Sequence, residues 1–341
     1  IRRQRQMCIR DSIYMEQSAV RDGVTAEEVK GILLGMASGQ ETLLGYFRRF
    51  IRNFEKRVGI NRTVGSLRAY SNAYSHIERF LQAQYKLSDI PFSALDRSFI
   101  DKYDLYLRTE RNLAPGTIIN LTVQLKTIVG EAIADGIITA SPFMGYEPMR
   151  PKHVQKYLTA EELHRIMTTP LHRQTLYHVR DMFLFSCFTG IPYGDMRLLT
   201  KDNLCLAEDG IWWIKSARQK TKIEFEIPLL DLPLQILKKY SGTAPGDKLL
   251  PMYCNSTLNL YLKEIARICH IDRPLVFHAG RHTYATEITL SHGVPLETVS
   301  RMLGHSQIET TQIYAKVTDE KIDADTKALN RKISERFSVV I

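Results

Sequence analysis

The amino-acid sequence predicts a mainly α-helical protein with one small β-sheet, an α+β chain that is divided into two domains. Its 341 residues are about twice the usual length of a single domain. Apolar residues recur at three- and four-residue steps over most of the chain, which is typical of amphipathic helices. Alternation of the kind that marks strands occurs near residues 210–227. With 44% hydrophobic and 24% charged residues, the composition is that of a folded globular protein.

Residues 27–140 are predicted to form a helical domain with four clear helices. The first carries Leu43, Phe47 and Phe54 on one face, the second covers about 66–85 and the third about 99–111. The fourth begins after Pro115 and stops at Gly136, a residue type that favours helix C-termini. The preceding residues 1–26 open with basic side chains and have no sustained period, so we interpret them as a tail or a truncated region.

Residues 141–156 are interpreted as a linker between the domains. The segment contains three prolines and ends in a basic group that includes Lys152 and Lys156. The second domain, residues 157–341, opens with Thr159-Ala160-Glu161-Glu162, the pattern of a capping box at the start of a helix. In this domain, Gly210–Ile214 and the alternating Ile223, Phe225 and Ile227 predict a hairpin. Its connection presents Arg218, Lys220 and Lys222 near the tip, with Arg218 and Lys220 expected on one strand face.

The charge balance favours a polyanionic partner. Lys and Arg number 46 against 37 Asp and Glu, which gives a formal net charge of +9. No run of 18 apolar residues and no hydrophobic signal segment occur, so we expect a cytoplasmic protein. The five cysteines are odd in number and lack a Cys-x-x-Cys pair, which argues against a disulfide framework or a zinc ribbon. Cys187 lies in an apolar stretch and is interpreted as a core residue.

Residues 276–316 carry the richest pattern of chemically active side chains. His278 and Arg281 are one helical turn apart on a helix that stops at Gly293, so both can reach one small anion. A second helix is predicted from Pro295 to Leu303, which places His305 just beyond the cap at Gly304. Ser306-Gln307-Ile308-Glu309 has the pattern of another capping box and leads to Tyr314.

The motif His-x-x-Arg, then Leu-Gly-His, then a tyrosine nine residues later resembles the signature of the tyrosine recombinases of the phage-integrase family. The resemblance extends over about 40–335. The segments 188–195 and 218–221 are similar to integrases of conjugative transposons from gut bacteria. The resemblance implies a core-binding (SAM-like) DNA-binding domain at 27–140 and a catalytic domain from 157. It also implies integration and excision of a mobile element through a 3′-phosphotyrosine intermediate.

The same resemblance implies four protomers on duplex DNA with specific recombination sites. The segment at about 321–337 is then donated to a neighbouring protomer, although its apolar stripe is equally compatible with packing in cis. Accessory DNA-bending proteins are further expected partners, and no membrane is expected. The resemblance also implies a bacterial, nucleoid-associated protein. We predict DNA-phosphate contacts from Arg48, Arg49, Arg52 and Lys152, although such charges on a helix are as often a solvated face.

Phosphoryl transfer to a side-chain hydroxyl needs a nucleophile, cationic donors on the non-bridging oxygens and an acid for the leaving oxygen. Matched to the family motif, Tyr314 is the nucleophile, and Arg281, His278 and His305 hold the phosphate. Lys220 protonates the departing 5′ oxygen. The exchange of a phosphodiester for a phosphotyrosine retains the energy of the bond, and no nucleotide-binding glycine motif occurs. We therefore expect no cofactor and no metal.

The sequence departs from the family pattern at one position. The first catalytic arginine is expected directly after Thr189-Gly190-Ile191, where Pro192 stands. Arg218 and Arg197 are the two candidates to replace it, and Arg218 is favoured because Lys220 is already expected at the phosphate. Asp195 is interpreted as a supporting residue that orients a cation or caps backbone. Two other functions stay open, a type IB topoisomerase and a non-catalytic DNA-binding protein whose site has decayed at Pro192.

Overall fold

The computed structural model describes residues 41–149, 156–314 and 319–333. The chain divides into two compact units, Ile1–His153 and Val154–Ile341. None of the helices in the described ranges is long and apolar enough to span a membrane. The predicted class is confirmed, because the chain is mostly helical and has one small antiparallel sheet.

The first unit contains the four predicted helices. They are α1 (Leu43–Glu55), α2 (Val64–Phe80, continued by a π-helical turn at Leu81–Tyr85), α3 (Arg97–Thr109) and α4 (Pro115–Ala134). The side chains of Thr63 and Asp96 accept the hydrogen bonds that begin α2 and α3. Gly136, in the left-handed conformation at φ 73°, follows the end of α4.

Aromatic residues form much of the core of this unit. The ring of Phe80 lies 5.1–5.3 Å from the rings of Phe99, Tyr103 and Tyr106, measured between centroids. Helix α2 packs against both α1 and α4, and α4 also packs against α3. The periodic apolar residues of all four helices are therefore explained by one shared core.

The second unit is built around a helix that is buried on nearly all sides. Its elements before the sheet are α5 (Ala160–Thr168), α6 (Gln174–Thr189) and α7 (Tyr193–Met196), and those of the sheet are β1 (Leu204–Leu206), β2 (Trp212–Ala217) and β3 (Glu224–Pro228). Helices α8 (Asp231–Lys239), α9 (Asn255–Ile268), α10 (Ala279–Thr283), α11 (Leu296–Leu303), α12 (Glu309–Gln312) and α13 (Asp319–Ile333) follow. The buried helix is α6, which contacts α8, α9 and α10.

Helix α5 begins with the predicted capping box. The Thr159 hydroxyl accepts a hydrogen bond from the Glu162 amide at 3.3 Å, and the Glu162 carboxylate accepts one from the Thr159 amide at 2.9 Å. The second predicted capping box, at Ser306–Glu309, is wrong. Helix α12 begins at Glu309 with Ile308 as its N-cap and without a side-chain cap. The amide of Thr311 there donates to the carbonyl of Ile308, so backbone turns replace the expected side-chain bonds.

The hairpin differs from the prediction in two ways. A third strand, β1, pairs with β2, giving an antiparallel sheet in the order β1-β2-β3. Strand β2 ends at Ala217, so Arg218 and Lys220 lie in the connecting loop and do not share a strand face. The Arg218 amide donates to the carbonyl of Ile223 and the Lys222 amide to the carbonyl of Arg218, both at 2.8 Å, which closes this loop tightly.

Candidate active site

The second unit contains a cleft of about 790 Å³ that gathers residues from distant parts of the sequence. The loop between β2 and β3, the start of α10, the end of α11 and the residues around α12 all contribute to its lining. Six of the predicted site residues line it: Arg218, Lys220, His278, Arg281, His305 and Tyr314. The cleft thus brings together the cations, imidazoles and phenol that the motif spacing had suggested.

Arg281 is the most enclosed cation of the cleft, with 3% of its surface exposed. Its Nη1 donates to the carbonyl oxygen of Gly190 at 2.9 Å, and its Nη2 donates to that of Leu303 at 2.6 Å. The same Nη2 donates to His305 Nε2 at 2.9 Å. Burial, followed by the charge of Arg218, lowers the pKa of Arg281 to about 10. The guanidinium therefore stays charged at neutral pH in surroundings that favour the approach of an anion.

Arg218 reaches the cleft from the hairpin loop. Its Nε lies 2.8 Å from Asp195 Oδ2, but the N–H does not point at that oxygen, so the contact is an ion pair. Its Nη1 donates to the carbonyl of Leu303 at 3.2 Å. Asp195 is itself buried and accepts the amide of Gln219 through Oδ1 at 2.9 Å. Asp195 therefore fixes both the side chain of Arg218 and the loop that carries it.

The end of α11 lets the two arginines approach each other. The Leu303 carbonyl is one of the free acceptors at the helix C-terminus, where the helix dipole is negative, and it binds both guanidinium groups. Gly304 follows in the left-handed conformation, at φ 65°. A Cβ at Gly304 would lie 2.9 Å from Arg218 Cγ. This glycine is thus required both for the helix stop and for the path of the arginine.

Neither Pro192 nor Arg197 supplies a positive charge to the cleft. Pro192 is the N-cap of α7 and offers no charge. Arg197, at the end of the same helix, is exposed and lies outside the lining of the cleft. Among the two candidates for the missing arginine, Arg218 is the one placed beside Arg281.

The histidines of the cleft are neutral at pH 7. Burial, followed by the charges of Arg281 and Arg218, lowers the pKa of His305 to about 4. Burial and then Arg281 lower the pKa of His278 as well. Burial and the neighbouring His278 lower the pKa of His282 to about 4. These rings can each donate one hydrogen bond in the neutral form, and the arginines and lysines of the lining supply the positive charge.

Tyr314 is buried at the edge of the cleft, with 7% of its surface exposed. It packs with Tyr284, Val299 and Leu303, and its ring centroid lies 5.2 Å from that of His282. Burial raises the pKa of its hydroxyl, and the positive charge of the nearby Arg281 opposes that rise only in part. Tyr314 is therefore a protonated phenol at neutral pH, held beside a guanidinium.

Sequence reasoning missed two residues of the site. Thr311, which is fully buried and lies behind the cleft, places Oγ1 2.7 Å from His305 Nδ1. Lys156 lines the cleft, and its charge contributes to the low pKa values of His278 and His282. The position of Thr311 three residues before Tyr314 was the available signal, since a helical turn brings such positions together.

The residues predicted to contact DNA lie in or near the first unit. Arg48, Arg49 and Arg52 are exposed on α1. Arg48 donates to the hydroxyl of Tyr74 at 2.5 Å, and Arg49 forms an ion pair with Glu41. Lys152 lies outside the described residues. The two paired arginines are thus partly held by neighbours, in keeping with a solvated face as much as with a phosphate contact.

Family models match both units. The Phage integrase family matches residues 156–321, and the Phage integrase SAM-like domain matches residues 42–148. The chain belongs to the phage integrase family. It is a tyrosine recombinase, as its similarity to curated proteins of that name also indicates.

Two such relatives show how far the similarity to this integrase-family chain extends. The chain is 25% identical to the tyrosine recombinase XerD of Listeria monocytogenes over 273 residues, which cover 75% of the chain and 89% of that protein. It is 26% identical to XerD of Staphylococcus saprophyticus over 297 residues, covering 83% of the chain and 96% of that protein.

Solved structures of integrases share the fold. The Tn1549 transposon integrase in complex with transposon right end DNA has a TM-score of 0.65 at 19% identity, covering 85% of this chain and 99% of that one. A lambda integrase dimer bound to a COC′ core site also has a TM-score of 0.65, at 18% identity, covering 82% of this chain and all of that one.

Proposed function

We propose that this chain integrates and excises a mobile DNA element, of the kind that conjugative transposons represent, by cutting and rejoining DNA at specific sites. The observation that carries the proposal is the convergence of two arginines, a lysine, histidines and a buried tyrosine on one cleft. Family membership supports the breakage and rejoining of DNA. The DNA in the complexes of its structural neighbours supports duplex DNA as the partner.

The proposed reaction begins with a DNA phosphodiester in the cleft. Arg281 and Arg218 donate to its non-bridging oxygens, because a guanidinium can offer two parallel hydrogen bonds to adjacent phosphate oxygens. His278 and His305 add further donors. The Tyr314 hydroxyl attacks phosphorus and loses its proton to solvent water, and the bond from phosphorus to the 5′ oxygen breaks. Lys220 gives the departing 5′ oxygen a proton, which leaves a 3′-phosphotyrosine and a free 5′ hydroxyl.

Rejoining is the same reaction in reverse. The 5′ hydroxyl of a partner strand attacks the phosphotyrosine, returns a proton to Lys220 and releases Tyr314, whose oxygen regains a proton from solvent water. Because the two arginines neutralise the charge that builds on the non-bridging oxygens in both directions, one set of donors serves both steps. The phosphodiester that is formed has the same type of bond as the one that was broken.

Arg218 is proposed to replace the arginine that the family pattern places at Pro192. Three contacts hold it beside Arg281: the ion pair with Asp195, the hydrogen bond to the Leu303 carbonyl and the close fit against Gly304. Each guanidinium keeps donors free, since an arginine has five N–H groups. Asp195 acts here as a positioning residue for Arg218.

The remaining parts of the proposal concern assembly. Residues 27–140 act as the core-binding domain, with Arg48, Arg49, Arg52 and Lys152 at DNA phosphates, and residues 141–156 link it to the catalytic domain. Four protomers assemble on two sites, and the segment at about 321–337 is exchanged between neighbours, with DNA-bending proteins assisting. The exposure of Leu329 in α13 is in keeping with a segment that packs against another protomer.

The two other candidate functions fit less well. A type IB topoisomerase shares the chemistry, but the SAM-like match over residues 42–148 is to a domain of phage integrases. A decayed DNA-binding protein would have little reason to keep the buried arginine, histidine and tyrosine together in one cleft. Neither alternative is favoured by a specific observation.

A plasmid that carries two recombination sites of the parent element tests the function. We expect the wild-type chain to delete or invert the segment between the sites. Arg218→Ala should abolish that reaction, whereas Arg197→Ala should retain it. Relaxation of supercoils without exchange between sites would support a topoisomerase instead. Loss of exchange with Arg197→Ala but not with Arg218→Ala would reject Arg218 as the replacement arginine.

A further inference from the structure

A buried threonine contacts the ring of His305. Thr311 lies in α12, its side chain is fully buried, and its Oγ1 is 2.7 Å from His305 Nδ1. The other ring nitrogen, Nε2, is 2.9 Å from Arg281 Nη2. Both nitrogens of one imidazole are therefore engaged inside the cleft.

These two contacts define where the ring proton is. A guanidinium nitrogen can only donate, so Nε2 must accept and cannot carry a proton in this arrangement. The imidazole is neutral at pH 7, because its pKa is about 4, and a neutral imidazole carries its one proton on the other nitrogen. His305 is thus the Nδ1–H tautomer, and it donates to the Thr311 hydroxyl oxygen.

In this tautomer, His305 cannot donate a hydrogen bond from Nε2 to a phosphate oxygen. A non-bridging phosphate oxygen is an acceptor, so His305 has to present an N–H at Nε2, which faces the cleft beside Arg281. Protonation of both nitrogens would provide it, but burial, followed by the charges of Arg281 and Arg218, opposes that. The remaining route is the other neutral tautomer, in which Nδ1 has no proton and needs a donor.

The Thr311 hydroxyl can pair with either tautomer, because rotation about its C–O bond lets it accept from Nδ1–H or donate to an unprotonated Nδ1. We propose that the Thr311 hydroxyl switches His305 between its two neutral tautomers as a phosphate oxygen replaces Arg281 at Nε2. One proton leaves Nδ1 and one is gained at Nε2 by exchange with solvent, while Thr311 turns from acceptor to donor. The net charge of the site is unchanged.

The inference rests on the proposed function, because it takes a phosphoryl group as the ligand of the cleft. Thr311 touches neither the phosphate nor Tyr314 Oη in this scheme, so it is a positioning residue that acts through His305. The chain also contains a matched control. The neighbouring Thr310 lies on the same short helix and lines the cleft, but it is exposed, and the hydroxyl at His305 Nδ1 is that of Thr311.

The test is nitrogen NMR of the histidine rings in the full chain, with inorganic phosphate as the probe at pH 7. The ¹⁵N shifts distinguish protonated from unprotonated ring nitrogens, and His305→Gln assigns the signals. Without phosphate we expect His305 to be the Nδ1–H tautomer. Phosphate should convert it to the Nε2–H tautomer in the wild type, in Thr310→Val and in Thr311→Ser. Thr311→Val, which has the same shape without the hydroxyl, should not convert.

Two results would overturn the inference. One is a His305 signal that remains Nδ1–H at the highest phosphate concentration, and the other is conversion in Thr311→Val equal to that of the wild type. DNA cleavage by the same variants separates this failure from failure of the proposed function. Thr311→Val should lose up to the roughly 10²–10³-fold that removal of one transition-state donor costs, and Thr311→Ser should restore the rate. Normal tautomer conversion with no cleavage by the wild type would reject the recombinase function alone.

Discussion

Gly304→Ala should separate the two roles of the glycine at the end of α11. Its backbone has φ 65°, a region in which a residue with a Cβ is less stable than glycine by about 1–2 kcal/mol. The new Cβ would lie 2.9 Å from Arg218 Cγ, closer than real carbon atoms pack, and 3.4 Å from Arg218 Cδ. The arginine stem must therefore move by a few tenths of an ångström.

That movement bears directly on the proposed phosphate site. The hydrogen bond from Arg218 Nη1 to the Leu303 carbonyl is already 3.2 Å long, so a small shift of the stem is enough to break it. We expect cleavage of a nicked suicide substrate to fall by about 10²–10³-fold, the usual cost of one lost donor in a transition state. Urea unfolding should show a loss of about 1–2 kcal/mol from the backbone alone.

Gly293→Ala is the matched control for this experiment. Gly293 also lies in the left-handed region, at φ 80°, but no atom lies within 4 Å of the position that its Cβ would take. It should lose similar stability without the loss of cleavage. In an Arg218→Ala background, Gly304→Ala should lower stability without a further effect on the rate. If Gly304→Ala cleaves as fast as Gly293→Ala, the placement of Arg218 at the phosphate is refuted.

Three further predictions concern stability, each measured by urea unfolding. Gly190→Ala should cost about 2–5 kcal/mol, because strain at φ 70° adds to a Cβ only 2.5 Å from Tyr284 Cδ1; a loss below 1 kcal/mol would contradict this. Thr159→Ala should cost about 1 kcal/mol by removing the cap of α5, and an unchanged midpoint would show that the cap contributes nothing. The free energy of unfolding should fall as the pH drops from about 6.5 to about 4. The pKa values of His282 and His305 are lowered to about 4 in the fold, so the unfolded chain binds more protons in that window. Replacing both by Gln should flatten the dependence, and an equally steep slope in that variant would assign it to other groups.

The sequence was sufficient for the helices and for placing His278 and Arg281 at one cleft, because both depend on local spacing. The bounds of α1 to α4 and of α11 agree with the apolar periodicity and with the stops at Gly136 and Gly304. His278 and Arg281 line one cleft because one helical turn separates them. These features need no knowledge of the tertiary structure.

Features that depend on tertiary contacts were not predictable. Strand β1 has three residues, too few for an alternating pattern, and exists because it pairs with β2. The spacing of Arg218 and Lys220 indicated a shared strand face, but the hairpin loop begins at Arg218. Arg218 and Arg281 both donate to the Leu303 carbonyl, which is a backbone acceptor. The identity of the side chain at that position therefore gave no sign of this contact.

A covalent trap tests the central claim most directly, that Tyr314 is the nucleophile of a metal-independent strand cleavage. The chain is incubated in EDTA with a nicked duplex carrying the end sequence of its element, and the products are separated on denaturing gels and mapped by mass spectrometry. We predict an adduct that forms in EDTA, has DNA on the peptide containing Tyr314 and is lost in Tyr314→Phe. DNA binding without any adduct on an authentic site, or an adduct that persists in Tyr314→Phe, would contradict the account.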